Sequence, residues 1–158
     1  MGIEPNKIYI INKLNFVSQA NVLAKICTTL QYAEKDPIDP YVFLEYMSKG
    51  LAFGKCVILV AFNKEQELAI CVVLFLNHDP YKGKILWIEW AWSDSKDLKL
   101  GLEVLRKIEE VAQKLEASRI AGAGNRYFKV ALRYGYKETY CVWEKIVKKE
   151  VKENVEKD

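Results

Sequence analysis

Apolar residues recur along this chain at two spacings, and the switches between them mark out its elements. Ile8 to Ile11 is a short run of β-type residues. Phe16, Ala20, Leu23, Cys27 and Leu30 then follow at steps of three and four, which predicts a helix with one buried stripe. Asp39 and Pro40 supply an N-cap and a first-turn proline for a second, shorter helix, with Val42, Phe43, Tyr46 and Met47 as its apolar face and Gly50 as its left-handed cap. Cys56–Phe62, Leu68–Leu76 and Ile85–Trp92 are three strand-like runs. The polar joints Asn63–Gln66 and Asn77–Lys84 are short enough to close antiparallel hairpins, so the three form a meander. From Leu98 to Leu115 the residues Leu98, Leu102, Leu105, Ile108, Val111, Ala112 and Leu115 keep helical spacing with Lys and Glu between them. Ser118–Ala123 reads as a brief buried strand, Tyr127–Tyr134 as a short helix closed by Gly135, and Thr139–Val147 as a last strand. Lys148–Asp158 is a charged tail expected to fray.

The predicted order is β-α-α-β-β-β-α-β-α-β, a mixed α/β class with one central sheet. Its third meander strand, long helix and next strand form a βαβ unit. Those two strands must then run parallel, and the helix begins at their C-terminal edge, where ligands usually sit. At 158 residues with 51% hydrophobic side chains, the chain has the size of one domain, taken as residues 1–147 with the tail beyond it, and can bury a sizeable core. The formal charge of +3 neither demands nor excludes an anionic partner, and nucleic acid is not expected. Cys27, Cys56, Cys71 and Cys141 are scattered singly without a companion His cluster, so they read as reduced core thiols, with no metal site and no disulfide framework. The polar start from Met1 to Lys7 lacks the order of a signal peptide, no apolar run approaches membrane-spanning length, and a cytoplasmic location is the expectation.

Asn125 followed ten residues later by Gly135-Tyr136, and the run Glu109-Glu110-Val111-Ala112, join this element order in a pattern that resembles the GCN5-related N-acetyltransferase (GNAT) family over about residues 8 to 147. The resemblance implies a cleft where the third meander strand and the next parallel strand splay, with the pantetheine of acetyl-CoA between them. It also implies that the diphosphate rests on the start of the long helix, where unpaired N–H groups and the helix dipole favour an anion. Trp92, Lys96, Asp97, Leu98, Lys99, Leu100, Gly101 and Asn125 are the cofactor-binding residues implied in this way. The loop departs from the family pattern of Arg or Gln, two residues, Gly, one residue, Gly or Ala. If Gly101 takes the second glycine position, Lys99 replaces the first and Lys96 replaces the Arg, losing its two-pronged hydrogen bonding. Asp97 places negative charge where phosphate is due. The position of the family's acidic Tyr is Ala131, with Tyr134 the nearby substitute on the same helix and Tyr127 a more distant one. For the base, Glu89 in the run Ile85-Leu86-Trp87-Ile88-Glu89-Trp90-Ala91-Trp92 is a carboxylate among apolar neighbours, costly to bury unless paired or protonated. A Glu89 that faces solvent or pairs with a Lys is the plain alternative.

Other features carry no hypothesis. His78 sits in the turn-forming stretch Asn77-His78-Asp79-Pro80 and reads as a surface imidazole. Gly122-Ala123-Gly124 lacks the third glycine of a dinucleotide loop. Trp87, Trp90, Trp92 and Trp143 read as sheet packing, with one or two available to line a groove or a subunit interface such as that of a homodimer. Two functions of different class remain. One is an acetyl-CoA-dependent N-acetyltransferase acting on a small-molecule or protein amine. The other keeps the fold without the reaction, as a binding or assembly module similar to small GNAT-like proteins commonly encoded by bacteriophages.

Overall fold

Three long apolar runs form the middle of a five-stranded sheet of order β1-β2-β3-β4-β5: β1 (Tyr9–Ile11), β2 (Cys56–Phe62), β3 (Leu68–Asp79), β4 (Gly83–Ser93) and β5 (Arg119–Gly122). The computed structural model describes residues 3–13, 22–29, 39–122, 133, 135 and 136. The first three pairings are antiparallel and β4–β5 is parallel, as the βαβ unit requires. Every residue of β2 is buried, because helices cover both faces of the sheet. On one face, helical residues 22–29 (α1) and helix α2 (Pro40–Ala52) contribute Leu23, Ile26, Phe43, Met47 and Leu51 to a core with Ile58, Val60, Val73 and Phe75. On the other, helix α3 (Leu98–Lys114) packs Leu100, Val104, Ile108, Val111 and Ala112 against Leu59, Val72, Leu74 and Leu86.

Helix α2 begins as its sequence dictates. The Asp39 carboxylate accepts hydrogen bonds from the amides of Tyr41 and Val42, with Pro40 in the first turn. Its end corrects the reading at Gly50. The helix runs on to Ala52 and closes in a Schellman motif, with the Lys55 amide bonded to Gly50 O at 2.8 Å, the Gly54 amide to Leu51 O at 3.1 Å, and Gly54 at φ 67°. Gly50 is instead a contact residue, since a Cβ there would lie 2.5 Å from Phe75 Cε1 and 2.7 Å from Cys56 Cβ. The apolar face also shifts. Phe43, Met47, Gly50 and Leu51 are buried, whereas Val42 is 63% exposed and Tyr46 44%.

The stripe of α3 turns likewise, with Leu100 and Val104 at its centre and Leu98 exposed in the first turn. The β3–β4 hairpin is longer than its apolar core. Strand pairing runs through His78↔Lys84 and Asp79↔Gly83, so His78 is an exposed strand residue rather than part of a turn. Asp79 Oδ1 accepts from the Tyr81 and Lys82 amides and Gly83 takes φ 77°, which closes the connection in three residues.

Internal contacts divide the chain into Met1–Gly122 and Ala123–Asp158. In the second unit Arg133 is helical and Gly135 has φ 86°, the conformation of a helix-closing glycine. The remainder of the Tyr127–Tyr134 helix and the Thr139–Val147 strand lie outside the described residues. Cys27, Cys56 and Cys71 are buried free thiols, and Cys141 lies outside the described residues. No helix among the described residues is long and apolar enough to cross a membrane.

Candidate active site

Strand β4 carries one residue too many. Val73 of β3 pairs with Trp90 and its neighbour Leu74 pairs with Ile88, so Glu89 is the extra residue of a β-bulge. In a regular strand residues 88 and 90 would share a face. The bulge sends them to opposite faces: Ile88 packs with the α3 core and Trp90 with the α2 core. Glu89 is the hinge of that switch, half-buried, and among the described residues it has no hydrogen-bond or ion-pair partner. Burial pushes its carboxyl above the ordinary carboxylate range.

Aromatic rings cluster around its chain neighbour Trp90. The Phe43 ring meets Trp90 edge to face at 4.4 Å, Tyr46 stacks on Phe75 at 4.5 Å, and Tyr46 meets Trp90 edge-on at 6.1 Å. The Tyr46 phenol is pushed up first by its own partial burial and then by the charge of Glu89, so these two groups sense each other. This surround was not legible beforehand. Tyr46 carries a helix-face signal, but its position beside Glu89 depends on strand register and the bulge.

The parallel ladder of β4 with β5 runs from Ile85↔Arg119 to Ile88↔Gly122 and takes in all of β5. Among the described residues, Glu89–Ser93 has no strand partner on that side. Trp92, opposite Cys71, packs into the α2-side core, so its ring lies on the face away from α3.

From Ser93 to Gly101 the backbone is held by its own side chains. The Ser95 amide donates to Ser93 Oγ at 3.2 Å and the Asp97 amide to Ser95 Oγ at 3.1 Å. Asp97 is the N-cap of α3: its Oδ1 accepts from the Lys99 amide at 2.9 Å and the Leu100 amide at 3.4 Å. The signal for this cap was present in the sequence, an Asp directly before an apolar helix, as at Asp39. Lys96, Leu98 and Lys99 are exposed, Leu100 is buried in the α3 core, and a Cβ added at Gly101 would meet nothing within 4 Å. The structure thus brings Lys96, Asp97, Lys99 and Gly101 to one helix start, with an internal carboxylate already seated there. Tyr134 and Asn125 lie outside the described residues. Among the described residues no group of three His, Cys, Asp or Glu side chains could hold a metal ion.

No family model matches the chain, and no curated protein sequence matches it. Solved structures do. A protein of Pyrococcus furiosus, provisionally named an acetyl transferase, superposes with a TM-score of 0.64 at 23% identity, over 89% of this chain and 100% of that one. A protein of Clostridium acetobutylicum solved with acetyl-CoA and named a predicted acetyltransferase gives 0.69 at 14% identity, over 89% and 96%. A GCN5-related N-acetyltransferase from Ralstonia eutropha gives 0.65 at 13% identity, over 89% and 97%. At these identities the likeness is one of architecture: the chain has the GCN5-related N-acetyltransferase fold.

Proposed function

We propose that the chain is an acetyl-CoA-dependent N-acetyltransferase acting on an amine. The observation that carries this reading is the half-buried, unpartnered Glu89 carboxylate at the bulge of β4, the strand beside which the fold would seat the acetyl group.

An acceptor amine arrives as an ammonium and must lose a proton before its nitrogen can attack. A partly desolvated carboxylate, whose burial raises its affinity for a proton, is suited to take that proton. Acetyl-CoA supplies the acetyl thioester, whose C–S bond breaks as the new C–N bond forms, the electron pair leaving on sulfur. Glu89 acts as base, the edge from Glu89 to Ser93, which has no β5-side partner among the described residues, offers backbone amides to the thioester oxygen, and Lys96 and Lys99 supply positive charge for the diphosphate. Tyr134 is the candidate to return a proton to the departing thiolate. The fit at the helix start is conditional, because Asp97 must release the Lys99 and Leu100 amides before an anion can take them.

Calorimetric titration with acetyl-CoA tests the binding half. Thiol release across a panel of amines tests the chemistry, and Glu89→Gln is expected to slow it about a hundredfold while leaving acetyl-CoA affinity within a factor of about two. The second reading is a binding module that keeps the fold without the reaction. Absence of heat and of any thermal shift up to millimolar acetyl-CoA selects that second reading.

A further inference from the structure

On the α2 face of the sheet lies an open groove of about 500 Å³, walled by Tyr46, Gly50 and Phe53 of α2 and its cap, by Lys55, and by Phe75 and His78 of β3. Three of its walls are aromatic and one, Leu76, is aliphatic. Phe75 and Tyr46 are stacked, and Phe53 is 77% exposed at the end of the helix, a ring placed where burial gives it no structural reason to be. Its charged lining is cationic only. Lys49 also borders the groove, but its ammonium is held by Glu45 one helical turn away. Lys55 and His78 have no ion-pair partner among the described residues, and no carboxylate lines the groove. Tyr46, one of its lining residues, is the ring that meets Trp90 edge-on at 6.1 Å and senses the charge of Glu89.

We infer that this groove selects an acceptor with an aromatic or apolar body and an acidic group, a carboxylate or a phosphate, at the end opposite its amine. This rests on the acetyltransferase reading for the amine's fate, but not for the binding itself. The apolar body lies between Phe53 and the Tyr46–Phe75 stack. The acidic group reaches the Lys55 ammonium at the groove mouth, with His78 beside it. The amine end passes Tyr46 toward Glu89. Opposite charge at the two ends fixes the direction in which such a molecule enters, so the cationic lining sets orientation as well as affinity.

The test uses the intact chain without acetyl-CoA and three probes followed by ligand-observed NMR: 3-phenylpropionate, 3-phenylpropyl phosphate and the neutral 3-phenylpropanamide. Saturable binding of an acid probe, weakened about fivefold by Lys55→Gln and unchanged by Lys64→Gln on the distant β2–β3 turn, supports the assignment. Preference for the carboxylate or for the phosphate identifies the acidic group. Binding of the amide as tight as that of both acids, or acid binding indifferent to Lys55→Gln, overturns it. Phe53→Ala gives a second readout at an exposed side chain, and loss of probe binding with an unchanged melting temperature is the expected result. Because acetyl-CoA is absent, these outcomes stand apart from those of the acetyltransferase reading. Acid binding without acetyl transfer leaves the groove assignment intact. Equal acetylation of amines with and without an acidic group removes it while leaving the enzyme.

Discussion

Replacing Asp97 separates two roles that one carboxylate now combines. Its Oδ1 accepts from the Lys99 and Leu100 amides, and no other acidic residue lies in the first turn of α3. Asp97→Ala removes an N-cap worth about 1 kcal/mol and a favourable dipole interaction worth about 0.3–1 kcal/mol. The expected loss is therefore about 1–2 kcal/mol, which lowers the melting temperature of a domain of this size by about 3–6 °C. Asp97→Asn keeps the cap, because Asn caps as well as Asp, and removes only the charge, so its stability loss stays under about 1 kcal/mol. Asp97→Ala leaves the two amides open and removes the internal anion, whereas Asp97→Asn removes only the anion's charge while its oxygen still caps the amides, so the relief is larger for Ala. Relief of about 1.4 kcal/mol corresponds to tenfold tighter binding. Calorimetric titration with CoA, set beside thermal unfolding of the same samples, reads both quantities. The reasoning fails if Asp97→Asn binds CoA no more tightly than the native chain while still binding it, because the carboxylate would then not be the competitor that the geometry makes it.

Gly50→Ala places a Cβ against Phe75 and Cys56; the overpacking of about 1–3 kcal/mol exceeds the helix-propensity gain of about 1 kcal/mol, so chemical denaturation should show a net loss, and a stabilised variant would contradict the packing. Glu89 has its carboxyl raised above the usual 4.5 by burial, so the folded chain holds that proton more tightly than the unfolded one and the ionised group costs stability once pH rises through the folded-state value. Glu89→Gln should accordingly melt higher than the native chain at pH 7.5, with the difference shrinking toward pH 4, and a variant that melts lower at pH 7.5 would show that Glu89 has a stabilising partner. The same sign gives the activity profile: kcat/KM rises with pH through a value above 4.5 as the base form appears, and the Glu89→Gln profile should lack that limb; a Gln variant with the native pH profile removes Glu89 from that role. Burial pushes the Cys56 thiol up to about 12 and raises Cys27 and Cys71 as well, so iodoacetamide at pH 7.5 followed by peptide mapping should leave all three unmodified in the native chain and label them in denaturant.

The meander and the βαβ unit were legible because Cys56–Phe62, Leu68–Leu76 and the Leu98–Leu115 periodicity each carry an unbroken spacing, and local spacing is what sequence records. The parallel β4–β5 pairing followed from topology alone. What failed to show is what depends on contacts between elements. Gly50 looked like a cap because a glycine near a helix end usually is one, whereas its reason is the Phe75 ring across the interface. Strict alternation would place Ile88 and Trp90 on one face of β4, and only the pairing of Val73 with Trp90 and of Leu74 with Ile88 exposes the bulge. Glu89 could be singled out as a carboxylate in an apolar run. The ring cluster at its neighbour Trp90 could not, because Phe43 and Tyr46 come from α2, more than forty residues away. At the helix start the departure from a glycine-rich loop and the charge of Asp97 were legible in the sequence, whereas its capping role went unread, and the cap satisfies amides that an open cradle would leave bare.

The most direct measurement is amide hydrogen exchange on the intact chain with and without acetyl-CoA. The account predicts slowed exchange in Glu89–Ser93, where β4 has no partner on its β5 side among the described residues, and in Lys96–Gly101, with β2 unchanged. Acetyl-CoA that binds but leaves both segments exchanging as before would contradict it.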